Sequence, residues 1–300
     1  MNLKPYHKPV LIKESIDNLV TDRNGIYIDV TFGGGGHSYE ILKRLDKGAT
    51  LIALDQDKES IKNNLIKDGR FHLFHKNFIH LKQVLKVLHI KKVSGLLADL
   101  GLSSLQMDNP IRGFSHQLNC TLDMRMNQEN TYSALHVLNE YSKKELIHVF
   151  YKYGEFKNAA KISEKILARR LKKPIKTTFD LRNIFILKKS SFKERKRFFA
   201  RLFQSIRMEV NNEINILKDL LLKSSEIILP GGRISVISYH SIEDRITKYF
   251  LKRGFFFKET NNIDTIPFKI IHKKVIKPSP QEIRENPRSR SARLRIAEKL

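Results

Sequence analysis

Three segments of the sequence carry residues suited to binding a cofactor that contains a ribose. The first, YIDVTFGGGGHS (27–38), runs from a β-branched apolar stretch into four consecutive glycines. Such a run is tolerated mainly where φ is positive or where a group approaches the main chain closely. Asp55 follows Gly33 by 22 residues, where an acid binds ribose hydroxyls in doubly wound sheets. The third segment, ADLGLSS (98–104), carries Asp99.

Two cofactor classes fit this pattern, NAD(P) and S-adenosylmethionine. The dinucleotide fingerprint G-x-G-x-x-G requires glycines at 33, 35 and 38, and position 38 is Ser. S-adenosylmethionine has no pyrophosphate, so it needs close main-chain approach and an acid near its amino group, which Asp29 is placed to supply. The glycines alone do not decide between the two classes. Simpler interpretations are a tight turn at the glycines, a helix N-cap at Asp55 and a turn cap at Asp99.

The positions of these residues depend on alternating strands and helices. GIYIDVTF, ATLIALDQD and VSGLLADLG are short apolar runs, and SYEILKRLDKG, between the first two, is a helix that Gly48 closes. Successive βα units predict an α/β fold with a parallel, doubly wound sheet. Because parallel strands end at the same edge, Gly33, Asp55 and Asp99 are expected to converge on one crevice.

A helical region interrupts the α/β pattern. Helical spacing dominates from about residue 132 to 227, and apolar residues from Leu202 to Leu221 recur every three to four positions, as on one long amphipathic helix. The sheet resumes at LPGGRISVIS (229–238), and FFFKE (255–259) and FKIIHKKVI (268–276) are expected to close it. We therefore expect an α/β domain of residues 1–108 and 215–300 and a helical domain of residues 109–214.

The composition restricts the class of protein. The 300 residues are 41% hydrophobic and 29% charged, which is typical of a globular protein. The single cysteine excludes an intramolecular disulfide, and neither a signal peptide nor an apolar run of about 18 residues is found, so we expect a cytoplasmic protein. No set of His, Cys, Asp and Glu has the spacing of metal ligands, which predicts that no metal is bound.

The net charge of +25, from 56 Lys and Arg against 31 Asp and Glu, indicates a polyanionic partner. Part of this excess reflects a composition rich in Lys, Asn and Ile, which A/T-biased coding produces. The excess is concentrated in two segments: residues 187–207 hold eight basic residues and one acidic, and residues 269–300 hold ten and three. For the run KKSSFKERKR (188–197) a solvated surface is the simpler interpretation.

Nine stretches resemble the bacterial ribosomal RNA small subunit methyltransferase H family. They cover nearly the whole chain in the family order, and the last two are highly specific: HKPVL (7–11), YIDVTFGGGGHS (27–38), ALDQD (53–57), ADLGLSSLQMD (98–108), RGFS (112–115), LDMRM (122–126), YGEFKNAAKIS (153–163), LPGGRISVISYHSIEDRITK (229–248) and NPRSRSARLR (286–295). The resemblance implies an S-adenosylmethionine-dependent enzyme that methylates N4 of cytidine 1402 of 16S rRNA in the small ribosomal subunit. It also implies a Rossmann-like methyltransferase sheet with an inserted helical domain for substrate recognition.

The resemblance further implies which residues contact the cofactor. Asp55 binds the ribose, Phe78 packs beside the adenine, and the glycine loop lies along the methionine part. The cofactor-binding residues that the resemblance implies are Gly35, Gly36, His37, Asp55, Phe78, Asp99 and Gln106, and the glycine-loop pattern adds Gly33. An ordinary core aromatic is the simpler interpretation of Phe78. Gly34 and the NCT before Leu122 depart from the family pattern, which more often has Arg and a Gly-Pro pair there.

Methyl transfer to the amine of cytosine requires particular residues at the site. The exocyclic amine of cytosine is a poor nucleophile because its lone pair is delocalised, so positioning and acceptance of its N–H groups supply most of the catalysis. We predict that Asp99, or a neighbouring carbonyl, is the catalytic acceptor, and that Tyr239, His240 and Ser241 form a wall for the base. The alternative for YHSIED (239–244) is a strand-to-helix turn with Ser241 as N-cap.

The RNA must also be held while one base is unpaired or flipped out, which calls for contacts to phosphates. The predicted RNA-binding residues are Arg112, Arg125, His240, Arg288, Arg290 and Arg293. Arginines of the tail that fold back on the sheet are the alternative.

Two other classes of protein remain open. A non-catalytic RNA-binding or ribosome-assembly protein explains the charge but not the convergence of Gly33, Asp55 and Asp99. A dehydrogenase explains that convergence but neither Ser38 nor the basic tail. The expected substrate is free 16S rRNA or the assembled small subunit, and a homodimer is compatible with the sequence.

Overall fold

The computed structural model describes residues 9–185, 191–256 and 266–300. The chain divides into two compact units, one of residues 1–104 and 215–300 and the other of residues 105–214. The first boundary lies four residues before the expected one, after residue 104 instead of 108. Across the described residues, no helix combines the length and the hydropathy needed to cross a membrane.

The first unit is built on a seven-stranded sheet. Its strands are β1 Ile26–Asp29, β2 Thr50–Asp55, β3 Phe71–His75, β4 Val93–Asp99, β5 Ile228–Ser238, β6 Phe268–Ile270 and β7 Arg293–Lys299. The order is β3-β2-β1-β4-β5-β7-β6, with β1 to β5 parallel and β7 antiparallel to both β5 and β6. The strand order reverses between β1 and β4, which is where doubly wound sheets bind ligands. The expected α/β fold class, with a Rossmann-like doubly wound sheet, is confirmed.

Helices connect the strands and form the second unit. In the described residues they are α1 Ile12–Leu19, α2 Gly36–Arg44, α3 Lys58–Lys62, α4 Leu81–Val87, α5 Ser104–Asp108, α6 Ala134–Asn139, α7 Lys143–Lys152, α8 Ala159–Lys172, α9 Thr178–Asn183, α10 Phe192–Val210, α11 Glu213–Ile227, α12 Ser241–Arg253 and α13 Pro280–Glu285. Short 3₁₀ helices cover Phe78–His80, Pro110–Arg112 and Pro287–Ser291. Helix α2 ends at Arg44, so Gly48 lies in the turn beyond the helix and does not close it.

The strands have continuous apolar sequences because both faces of the sheet are covered. Ile28 and Ile52 belong to one buried cluster, whereas their chain neighbours Tyr27 and Leu51 belong to another. All four side chains are 0% exposed. Successive residues of a strand point to opposite faces, so the two clusters lie on the two faces of the sheet. This packing fixes the carboxyl ends of the strands, where the candidate site lies.

Strand β7 was not expected from the sequence. It covers Arg293–Lys299 at the end of the basic segment 269–300, with Leu294 and Ile296 each 1% exposed and Arg293 and Arg295 on the alternate positions. The strand inserts between β5 and β6 and completes the sheet. The expected strand FFFKE lies mainly outside the described residues, and only the first three residues of FKIIHKKVI form β6.

The long helix expected across Leu202–Leu221 is two helices. Helix α10 ends at Val210, and Asn212 has a φ of +49°, in the left-handed region. The side chain of Asn211 accepts from Met126 N (2.7 Å) and donates to the carbonyls of Met124 and Arg207 (2.8 Å each). The apolar spacing continues through this break, so the sequence pattern could not reveal it.

Candidate cofactor and active site

Glycine is required for different structural reasons at three of the four positions from 33 to 36. Gly33 (φ +54°) and Gly35 (φ +76°) are left-handed, a conformation that favours glycine. A Cβ on Gly36 would lie 2.1 Å from Cγ of Pro9. A Cβ on Gly34 would meet nothing within 4 Å, so this position has room for the larger residue that the related family more often has. The loop therefore exposes main chain at the end of β1, as a closely approaching cofactor requires.

Asp55 lies at the end of β2 and faces this loop. Its Oδ2 accepts from Gly33 N at 2.7 Å, and its Oδ1 accepts from Asp57 N at 2.8 Å. Burial raises the pKa of this carboxyl to about 6, against the pull of these two hydrogen bonds. Each oxygen keeps a second lone pair, so the carboxylate can also accept two ribose hydroxyls. The N-cap of α3 is Asp57, whose side chain accepts from Glu59 N, so the interpretation of Asp55 as the helix cap is wrong.

Asp29 is not placed to meet a cofactor. Its side chain is 0% exposed, and its carboxylate accepts from Ser38 Oγ (2.7 Å) and Thr31 N (3.1 Å). Burial raises the pKa of this carboxyl. Asp29 therefore joins the end of β1 to the start of α2, and the expectation that it lies near a cofactor amino group is wrong. Ser38, at the third position of the dinucleotide fingerprint, is part of this buried contact.

Asp99 ends β4 beside His37 and Tyr239. Its main-chain N donates to Thr31 Oγ1 at 2.7 Å, and its Oδ2 lies 3.8 Å from Nδ1 of His37. Oδ1 is buried and has no hydrogen-bond partner in the described part of the chain. Burial raises the pKa of this carboxyl, while His37 and a hydrogen bond from the Tyr239 hydroxyl lower it. Asp99 thus retains capacity to accept hydrogen bonds from a ligand.

Tyr239 is held in place from two sides. Its main-chain N donates to Glu243 Oε2 at 2.9 Å, and its ring lies so close to Gly101 that a Cβ there would be 2.8 Å from Cε2. Burial and the neighbouring Asp99 charge raise the pKa of the Tyr239 hydroxyl well above its usual range. The hydroxyl is therefore a hydrogen-bond donor at neutral pH.

His240, not Ser241, caps α12. Its Nδ1 accepts from Glu243 N at 3.2 Å, and Glu243 in turn accepts from His240 N at 3.3 Å, which is a reciprocal capping arrangement. The His240 side chain is only 7% exposed. This burial does not present His240 to RNA, in contrast to its predicted RNA-binding role.

Phe78 and Gln106 lie on other elements, the 3₁₀ helix after β3 and helix α5. Phe78 begins the 3₁₀ helix after β3 and packs, partly buried, against the core cluster of that face. Part of its ring therefore remains available to a ligand. Gln106 belongs to the second unit and is 5% exposed. Its implied role as a cofactor contact stays a prediction.

The predicted phosphate contacts of the second unit are engaged within that unit. Arg112 is 0% exposed, and its guanidinium donates to the carbonyls of Arg125 and Met126 at 2.9 Å each. Arg125 donates to the Asp123 carboxylate, with Nη2 at 2.7 Å, and to the Asn130 carbonyl. Arg112 cannot hold a phosphate from this position, and we do not retain it as an RNA contact.

The arginines of the tail divide into two groups. Arg288 and Arg290, in the 3₁₀ helix before β7, are exposed, and Arg288 also donates to Ser104 Oγ at 3.2 Å. Arg293 and Arg295 lie on β7 and pair with Asp244 of α12 at 3.3 and 2.6 Å. The first group can meet a polyanion, whereas the second fastens β7 to α12.

The arrangement as a whole fits S-adenosylmethionine better than a dinucleotide. It offers main chain at the left-handed Gly33, a carboxylate for a ribose at Asp55 and an unfilled buried acceptor at Asp99. The third glycine that a pyrophosphate requires is replaced by the buried Ser38.

Comparison with known proteins agrees with this geometry. A family model described as the MraW methylase family matches residues 4–300. The chain is 50% identical over 299 residues to "Ribosomal RNA small subunit methyltransferase H" of Karelsulcia muelleri, with 98% of each chain covered. It is 48% identical over 306 residues to the protein of that name from Christiangramia forsetii, with both chains fully covered. A solved rRNA methylase from Streptococcus thermophilus is 12% identical, with 100% and 99% of the two chains covered and a TM-score of 0.42.

Proposed function

The chain belongs to the MraW methylase family, and from that premise we propose that it methylates N4 of cytidine 1402 of 16S rRNA with S-adenosylmethionine as methyl donor. The observation that supports this most is the pair of carboxylates at one sheet edge. Asp55 has lone pairs for a ribose, and Asp99 has a buried oxygen without a partner among the described residues. An enzyme that transfers a methyl group from a nucleoside cofactor to an amine can use the first carboxylate for the cofactor and the second for the amine.

S-adenosylmethionine, when bound, supplies a methyl group activated by the adjacent sulfonium. Asp55 would hold its ribose, the main chain from Gly33 to His37 its methionine part, and Phe78 its adenine. The imidazole of His37 is turned to the carbonyl of Val10 and to Asp99, so its contact with the cofactor falls to the main chain. No metal is required for this chemistry.

Asp99 would act on the substrate amine. As the bond from N4 to the methyl carbon forms and the carbon–sulfur bond breaks, N4 must lose one proton. The Asp99 carboxylate accepts a hydrogen bond from the amine, which orients the lone pair of N4 toward the methyl group. It then takes the proton that leaves N4. Tyr239, held by Glu243 and packed on Gly101, closes the site beside Asp99.

RNA would reach this site as an unpaired or flipped nucleotide, since a stacked base cannot enter such a crevice. Arg288 and Arg290 are exposed in the 3₁₀ helix before β7, and they are suited to phosphate contact. The partner is the small ribosomal subunit or its 16S rRNA, which places the enzyme in the cytoplasm. Sedimentation with and without RNA distinguishes a monomer from the homodimer that the sequence allows.

Calorimetry with S-adenosylmethionine and with NAD tests the cofactor assignment. We expect saturable binding of S-adenosylmethionine with one site per chain, and no binding of NAD. Binding of NAD instead would indicate a dehydrogenase. Binding of neither would indicate a non-catalytic RNA-binding or assembly protein.

A further inference from the structure

The first turns of helix α10 present three cations and an aromatic ring to solvent. Lys193, Lys196 and Arg197 are exposed, and side chains three and four positions apart are neighbours on a helix, so the three form one group. None of them forms an ion pair with another described residue. Phe192, four positions before Lys196, is 75% exposed. These four residues are named the α10 patch.

The acidic residues of the second unit that form ion pairs do so with other cations. In the described residues the pairs include Lys143–Glu164, Arg169–Asp180, Arg125–Asp123 and Arg207–Glu213. Glu194, which lies among the cations of the α10 patch in the sequence, points back to the N-cap and accepts from the main-chain N of Ser191 at 2.8 Å. The charge of the α10 patch is therefore open to an external anion.

The placement of these cations is unfavourable for the helix that carries them. Lys193 lies in the first turn, beside the positive end of the helix dipole. It also has like charges at i+3 and i+4, in Lys196 and Arg197, which repel it. Helices α7 and α12 have the favourable order, with acidic residues in the first turn and basic residues in the last. Helix stability does not explain the α10 patch, whereas bound phosphates would relieve both repulsions.

The positive charge extends from the α10 patch to neighbouring elements. Burial lowers the pKa of His116, and the positive charges of Arg182 and Lys196 lower it further. Arg182, on α9, donates to the main-chain carbonyl of His116 at 2.9 Å. Charge of one sign thus spreads over two helices and a loop, which suits an extended polyanion better than a small anion.

Exposed cations beside an exposed aromatic ring are typical of surfaces that bind single-stranded RNA, where the cations contact phosphates and the ring stacks on a base. On the basis of the proposed function, we propose that the α10 patch binds an unpaired segment of the rRNA substrate, with Lys193, Lys196 and Arg197 on its phosphates and Phe192 on a base. A solvated basic surface explains the charge, but neither the exposed ring nor the cations at the start of the helix.

Fluorescence anisotropy with a labelled 16S rRNA fragment that spans position 1402 tests the phosphate contacts. For the triple variant Lys193→Gln, Lys196→Gln, Arg197→Gln we expect the slope of log affinity against log salt to fall by about 2, near 0.7 per lost contact. The control Lys172→Gln, Lys173→Gln, Lys176→Gln removes the same charge from exposed positions at and after the end of α8, and it is expected to keep the wild-type slope. A wild-type slope in the α10 variant, or an equal decrease in the control, would overturn the proposal.

Phe192→Ala separates stacking from charge in the same assay. Loss of one stacked base is expected to weaken binding about 5- to 150-fold at every salt concentration and to leave the slope unchanged. Equal affinities of this variant and the wild-type protein would contradict the proposed base contact.

Thermal melts without RNA distinguish binding from a structural role. Gln has nearly the same helix propensity as Lys and Arg, so the α10 triple variant loses repulsion alone, and its melting temperature is expected to rise by about 2–4 °C. A lower melting temperature would show that the cations stabilise the fold and would overturn the proposal.

Failure of the proposed function itself gives a different result. The wild-type protein would then transfer no methyl group to rRNA, whereas the anisotropy comparison, which needs no methyl transfer, would still report on the α10 patch.

Discussion

Replacement of Asp55 by asparagine tests whether this carboxylate binds the cofactor ribose. Asparagine keeps the shape of the side chain and one acceptor oxygen, so it disturbs the contacts with Gly33 N and Asp57 N less than alanine would. The proposal gives the carboxylate two hydrogen bonds from ribose hydroxyls. Hydrogen bonds to a charged group are roughly twice as strong as neutral ones, so the loss of charge is expected to cost on the order of 2–3 kcal/mol of binding free energy. That is a decrease in affinity of about 30- to 150-fold.

The raised pKa of Asp55 adds a dependence on pH. Because the free protein has a pKa of about 6 at this carboxyl, and the ribose hydroxyls donate to its ionised form, wild-type affinity is lost as the pH falls through about 6. Affinity at pH 5 is expected to be about tenfold weaker than at pH 7.5. The asparagine variant has no such group and is expected to bind with the same affinity at both values.

Isothermal titration with S-adenosylmethionine at the two pH values measures both effects. Asp57→Asn is the matched control, because it removes a carboxylate two residues away while asparagine still caps α3. Its affinity at pH 7.5 is expected to stay within about twofold of wild type. Equal affinities of wild type and Asp55→Asn would refute the assignment of Asp55 to the ribose.

Three further predictions follow from the site. Asp99→Asn is expected to lower the single-turnover methylation rate about 10²-fold or more while RNA binding is retained, because the lost acceptor acts mainly in the transition state. A wild-type rate would mean that a main-chain carbonyl, not the Asp99 carboxylate, accepts from the amine. Gly36→Ala is expected to lower the unfolding free energy by about 1–3 kcal/mol because its Cβ collides with Pro9, whereas Gly34→Ala changes it by less than about 0.5 kcal/mol. Thermal melts measure both variants, and equal melting temperatures would contradict the loop geometry. The double variant Arg288→Gln, Arg290→Gln is expected to lower the slope of log affinity for RNA against log salt by about 1.4. Arg293→Gln is expected to leave that slope unchanged and to lower the melting temperature, because the pair with Asp244 is lost. If Arg293→Gln lowers the slope and the double variant does not, β7 and not the 3₁₀ helix contacts RNA.

The sheet edge could be predicted because its signals are local. Apolar runs that end in Gly33, Asp55 and Asp99 identify parallel strands and the edge at which they end, and the structure brings these three residues to one edge. The same local signals mislead where a side chain has two possible uses. Asp29 looks like a cofactor ligand in the sequence, but Ser38 and Thr31 occupy its oxygens.

The features that could not be predicted depend on partners distant in the chain. Arg293 pairs with Asp244, 49 residues earlier, and Arg112 is surrounded by carbonyls of a turn that only the folded second unit creates. Strand β7 does have a local signal, since Leu294 and Ile296 alternate with arginines. The high local charge favours contact of this segment with RNA phosphates, and packing of its arginines on the sheet is only the alternative.

The hydrogen bonds around Tyr239 also could not be predicted in full from the sequence. The alternative interpretation of YHSIED, a strand-to-helix turn with Ser241 as N-cap, has the turn right, but the N-cap lies one residue earlier, at His240. This shift moves the reciprocal contact to Glu243, which then fixes the main chain of Tyr239. Cap positions depend on the backbone angles of a single residue, which a sequence pattern does not resolve.

The most direct test of the proposed function is to identify the nucleoside that receives the methyl group. Small ribosomal subunits that lack the modification are incubated with the protein and with S-adenosylmethionine carrying a deuterated methyl group, and the rRNA is digested and analysed by mass spectrometry. We predict deuterated N4-methylcytidine at position 1402 of 16S rRNA and no label elsewhere. Label on another nucleoside, or no label while S-adenosylmethionine binds, would contradict the proposed function.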